Sequence, residues 1–121
     1  MTGVLCVGAG GAIGAVLRYA ISLLPYKGTF PLLTLVTNVL GAVAIGCIAG
    51  AASRRGMPDG LLLFLKTGVC GGFTTFSTFS LESYALLENG QYGTAVLYMA
   101  VSAVLCLAGV AAGMYLAEQI G

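Results

Sequence analysis

The sequence predicts an all-α membrane protein of four transmembrane helices, the third broken near its middle. Three observations carry that class. Of the 121 residues, 59% are hydrophobic and only 7% charged, and mean hydropathy is +1.01, whereas soluble domains carry about 25% charged residues. Four apolar runs reach the roughly 20 residues that a spanning helix needs. One of them is interrupted at mid-depth by adjacent glycines and a hydroxyl-rich stretch. This composition excludes a cytosolic fold, a disordered tail and a nucleic-acid binder. The net charge of +1 offers no basic patch to a polyanion.

The first span, residues 3–24, ends at Pro25-Tyr26-Lys27-Gly28, residues that stop helices. It lacks a basic leader and carries Arg18 near its far end, which favours a span over a secretory signal. The second, 31–52, closes at Ser53-Arg54-Arg55-Gly56-Met57-Pro58-Asp59-Gly60. The third, 61–87, turns at Glu88-Asn89-Gly90, and the fourth covers 92–118, so that a single transmembrane domain over 1–121 is expected. Four spans put both termini on one side together with Arg54, Arg55 and Lys66, against Lys27 and Arg18 on the other. That charge bias is weak, and the chain can insert either way up. Tyr19, Tyr26, Phe30, Tyr84 and Tyr92 gather near one interface and Tyr115 near the other, as an aromatic belt would place them.

Nineteen glycines are about twice the average usage. Gly10 and Gly14, Gly46 and Gly50, Gly68 and Gly72, and Gly109 and Gly113 are each four apart, giving every span a groove where another backbone approaches closely. A small bundle packed this way leaves little room for a water-filled pore inside one subunit. Any conduction path is therefore expected between subunits of a homo-oligomer, most simply a dimer, because closed twofold symmetry is commonest.

The third span contains Gly71-Gly72-Phe73-Thr74-Thr75-Phe76-Ser77-Thr78-Phe79-Ser80-Leu81-Glu82. Paired glycines, Phe and adjacent β-branched threonines sum unfavourable helix propensities, so a break is expected over 71–75. Broken backbone at that depth survives only inside protein or beside a cavity, where freed carbonyls and half-helix ends can hold ions. Phe76 and Phe79 share one helix face, with Ser77, Thr78 and Ser80 around the same turns. Phenyl edges are positive and hydroxyl protons can replace lost water, an arrangement suited to an anion; the plainer alternative is that the hydroxyls bond back to carbonyls four residues earlier.

Thr34 and Asn38 share a face of the second span; Asn38 must find partners within the protein, as structural glue or as a pore-lining donor. Tyr98, Ser102 and Cys106 form a stripe on the fourth span, and the Tyr98 hydroxyl needs a buried partner. Arg18 and Glu82 are the deepest charges and candidates for function: Arg18 for pathway-end electrostatics or structural pairing, Glu82 for pairing a cation or capping a polar network. With no His, and with Cys6, Cys47, Cys70 and Cys106 far apart, neither zinc chemistry nor a disulfide scaffold is indicated, and the cysteines read as small buried hydrophobes. No enzyme is indicated.

These residues resemble the fluoride channels of microorganisms, a small four-helix family that exports fluoride passively. Residues 10–19, Gly10-Gly11-Ala12-Ile13-Gly14-Ala15-Val16-Leu17-Arg18-Tyr19, resemble the family's first signature, Thr37-Asn38-Val39-Leu40-Gly41 its second, and Gly71 through Glu82 its third and most specific. The resemblance implies an antiparallel, dual-topology homodimer in the cell (inner) membrane, with two fluoride pathways at the subunit interface and a structural sodium ion at the centre. By motif matching, backbone carbonyls of Gly71 and Thr74 hold the sodium. Phe76 and Phe79 form the aromatic box, Asn38 is a donor near it, and Thr34, Ser77, Ser80, Tyr98 and Ser102 form the polar track. Arg18 and Glu82 are supporting charges. Cys106 stands where the family often has a hydroxyl, and Leu33 replaces a common glycine. Hydrogen fluoride crosses lipid as a neutral molecule and ionises inside, so the anion needs a route out. The rival reading is a small multidrug-type proton-coupled exporter using Glu82 as its membrane carboxylate; a third is a scaffold subunit of glycine-packed helices.

Overall fold

A computed structural model describes residues 2–120. Helix α1 (Thr2–Ser22) leads through a loop to α2 (Leu32–Arg55). The third span begins with α3 (Asp59–Leu62), widens into a π-helical segment (Leu63–Cys70), and ends its first half with the short α4 (Gly71–Phe73). Its second half is α5 (Phe76–Glu88), and α6 (Tyr92–Ile120) completes the chain. Among the described residues four helical stretches are long and apolar enough to cross a membrane, the third running Asp59–Glu88 with its bend inside. This is a multi-pass membrane protein.

The break is narrower than the sequence suggests. Gly71, Gly72 and Phe73 stay helical, and only Thr74 (φ −85°, ψ 157°) and Thr75 (φ −149°, ψ 123°) are extended. Glycine merely weakens a helix, whereas two adjacent β-branched residues favour extended backbone. Gly56 after α2 and Gly90 after α5 have φ of 75° and 76°, a conformation that residues with a Cβ rarely adopt.

The helices pack in pairs, α1 against the π-helical segment and α4, and α2 against α6. Glycine makes both contacts possible. A Cβ on Gly68 would lie 2.8 Å from the Gly10 Cα, and one on Gly113 would lie 2.9 Å from the Gly46 Cα, so backbone meets backbone as the fourfold spacing implies. A buried cluster of Leu35, Leu86, Ala95 and Tyr98 joins α2, α5 and α6, with Phe79 and Phe30 packed against it. Tyr19, Tyr84, Tyr92 and Tyr115 are exposed, as belt residues should be. Phe30 departs from that expectation: it turns inward and meets Tyr98 edge-on, ring centroids 5.5 Å apart. The cysteines also divide, since Cys70 is buried while Cys6, Cys47 and Cys106 are partly exposed.

Candidate functional site

The site is built around the two extended threonines. Asn38 of α2 spans the break with both halves of its amide: Nδ2 donates to the Thr75 carbonyl (3.1 Å), and the Thr75 N–H donates to Oδ1 (2.8 Å). Thr75 Oγ1 accepts the Thr78 N–H (3.2 Å), capping α5. These two bonds redirect donors. In a continuous helix the Thr75 N–H would serve the Gly71 carbonyl and the Thr78 N–H the Thr74 carbonyl. Asn38 and the Thr75 side chain take both donors instead, so the Gly71 and Thr74 carbonyls lose these helical partners. The intervening Gly72 carbonyl is satisfied differently, by Arg18 Nε at 3.1 Å. Arg18 thus places positive charge at the C-terminal end of the first half-helix, where the helix dipole favours it.

A row of aromatic rings runs from the break. Phe76 and Phe79 have centroids 5.4 Å apart, tilted by 40°, and Phe79 stands 5.1 Å from Tyr98. Phe76 is 78% exposed although it sits at mid-span, while Tyr98 is fully enclosed at 0%. Both phenylalanines border a groove of about 540 Å³, together with Asn38, Gly71, Thr74 and Ser102. Ser102 is 6% exposed, and its hydroxyl has no hydrogen-bond partner among the described residues.

Behind the rings lies a second polar cluster. Thr34 Oγ1 donates to Glu82 Oε2 (3.0 Å), and the Tyr98 hydroxyl donates to Oε1 (2.9 Å). Each carboxylate oxygen therefore has a hydroxyl donor, which ties Glu82 into a polar cluster with Thr34 and Tyr98. Thr34 borders two further cavities. One, of about 260 Å³, carries Arg18, Thr75 and Thr78; the other, of about 380 Å³, carries Glu82 and Tyr26.

The expected site residues thus fall into connected groups. Asn38 joins the break, Phe76, Phe79 and Tyr98 form the ring row, and Thr34, Glu82 and Tyr98 share hydrogen bonds. Ser77 is exposed and lies 3.4 Å from Thr75 Oγ1. Ser80 follows the plainer alternative, donating to the Phe76 carbonyl four residues earlier (2.9 Å). Three participants were not foreseen: Thr75 as cap, Phe30 as the outer ring on Tyr98, and Arg18 as partner of Gly72. Thr75 is of a residue type favoured at helix N-caps, a local signal; the other two depend on contacts far along the chain.

Residues 5–114 match the family described as CrcB-like protein, Camphor Resistance (CrcB). The chain belongs to the CrcB family. Its CrcB relatives are similar over nearly their whole length. It is 43% identical to the fluoride-specific ion channel FluC of Methylobacterium sp. (strain 4-46), with 100% of both chains covered. It is 44% identical to the protein of that name from Ruminiclostridium cellulolyticum, over 99% of this chain and 95% of the relative. The FluC of Azobacteroides pseudotrichonymphae is 41% identical, with 95% of each chain covered. The family is one of ion channels, not of enzymes.

Proposed function

We propose that the protein is a fluoride-selective channel of the cell (inner) membrane that lets fluoride leave the cytoplasm passively and so reduces its toxicity. The observation that carries this reading is the row of ring edges and neutral donors beside the helix break, in a chain over 40% identical to proteins named fluoride-specific channels. A bare anion entering the membrane must exchange its hydration shell for other positive partners. Phenyl edges, the second N–H of the Asn38 amide and the hydroxyls of Ser77 and Ser102 supply them without a buried Lys or Arg that would trap the ion, while Thr34 and Tyr98, whose protons go to Glu82, extend the polar track beside them. Arg18 attracts the anion at one end.

Two antiparallel copies complete the reading. Phe76 is mostly exposed and the groove is open, which suits two pathways along a subunit interface. The Gly71 and Thr74 carbonyls, freed of their helical donors, fit a hard cation that prefers oxygen ligands. A sodium ion there would supply charge that locks two facing breaks together. Glu82, with both oxygens occupied by hydroxyl donors, serves better as a member of the polar path than as the proton carrier of a drug exporter.

The test compares Glu82→Gln with Phe79→Ile in vesicles, reading fluoride with an electrode and a cationic dye by fluorescence. Fluoride efflux from the unaltered protein, lowered by Phe79→Ile, is the expected result. Dye efflux lost only with Glu82→Gln would replace this reading by the exporter, and absence of any flux would favour the scaffold.

A further inference from the structure

Tyr98 is fully enclosed, and its hydroxyl donates to Glu82 Oε1 at 2.9 Å. Glu82 and Phe30 both border the 380 Å³ cavity, whereas Tyr98 does not. Phe30 meets Tyr98 edge-on, with centroids 5.5 Å apart and planes at 83°. The backbone fixes the start of this contact. The Leu32 N–H donates to the Phe30 carbonyl (2.7 Å) around Pro31, whose φ of −74° and ψ of 67° make an inverse γ-turn. Proline holds that φ, and the Leu35 N–H donates to the Pro31 carbonyl (3.2 Å), tying the turn to the first turn of α2. Thr34 lies in the same turn, and its hydroxyl donates to the other Glu82 oxygen (3.0 Å). One short segment therefore holds both sides of the Tyr98–Glu82 bond, the ring through Phe30 and the carboxylate through Thr34.

We propose that Phe30 is a positioning residue of the anion path: its ring, set between Tyr98 and the cavity, keeps the Tyr98 hydroxyl on Glu82. Water entering the cavity competes with Tyr98 for that carboxylate, because a hydroxyl can exchange one acceptor for another at little net cost. With the Phe30 ring removed, Tyr98 turns away and Glu82 loses a donor. A carboxylate less engaged by its own donors repels a passing anion more strongly, and flux falls. The positioning stands on the ring and hydrogen-bond geometry; its effect on flux rests on the channel reading.

The experiment uses the full chain in vesicles. Phe30→Leu keeps an apolar side chain but no ring, and should slow fluoride efflux by about fivefold, the factor expected for loss of an edge-on aromatic pair. Phe30→Tyr keeps the ring and should retain most of the rate. In a Tyr98→Phe background, which has no hydroxyl to aim, Phe30→Leu should cause no further loss. The chain has no Trp, so with Tyr19, Tyr26, Tyr84, Tyr92 and Tyr115 changed to Phe, ultraviolet emission comes from Tyr98 alone. A carboxylate acceptor quenches tyrosine emission, and in this background Phe30→Leu should raise it toward the level set by Glu82→Gln, independently of any ion flux. Raised emission in a protein that passes no fluoride would sink the channel reading and leave the positioning intact. Emission unchanged by Phe30→Leu, a Phe30→Tyr protein as slow as Phe30→Leu, or an equal fractional loss in the Tyr98→Phe background overturns the proposal.

Discussion

Phe76 and Phe79 lie one turn apart yet have different surroundings. Phe79 is held between Phe76 and Tyr98, whereas Phe76 has one ring neighbour and is 78% exposed. Phe76→Ile should therefore lower fluoride flux with little loss of stability. Phe79→Ile should lower flux and also cost about 1 kcal/mol from its lost ring contacts; efflux assays paired with thermal unfolding in detergent check both, and equal stability losses would contradict the assignment. Helical spacing alone made the shared face of these rings legible, but not the difference between them, because Tyr98 and Phe30 approach from other elements. The same holds for Tyr98 itself. Its need for a buried partner was readable from its depth, while the identity of that partner, Glu82, required α5 and α6 to be side by side.

At the scale of elements, a weak helix at mid-span was plain from composition, but the two residues that leave it were not. Their choice depends on Asn38, which reaches across from α2 to hold both polar groups of Thr75. Asn38→Ala should loosen the break and reduce flux. Asn38→Asp keeps an acceptor for the Thr75 N–H but sets a carboxylate against the Thr75 carbonyl, so it should impair flux at least as much. Efflux rates of the two variants measure this, and an Asp variant as active as the unaltered protein would show that the Nδ2 donor is dispensable. The glycine spacing was more informative, since it identified faces that do meet another backbone. Gly46→Leu should force α2 from α6, where Gly113 lies in contact, at a cost of about 1–3 kcal/mol or more; the thermal midpoint in detergent reports it, and an unchanged midpoint would contradict the close packing.

For the whole molecule, four short helices with backbone-level contacts leave the mid-depth groove on the side of the chain rather than at its centre, and a second, inverted copy would turn it into an enclosed path. That arrangement is the one glycine packing, weak charge asymmetry and motif resemblance lead to, and in the proposed reading sodium would take part in assembly. Replacing sodium by a large organic cation should abolish transport or separate the copies, as read by efflux and by size-exclusion chromatography; unchanged rate and assembly would remove the central ion from the account. The central claim is that a small anion crosses on neutral donors and ring edges along this groove. It is tested most directly by ion efflux from vesicles containing the purified protein, with fluoride and chloride measured side by side. The account predicts rapid loss of fluoride with chloride largely retained, and chloride leaving as fast as fluoride, or neither leaving, would contradict it.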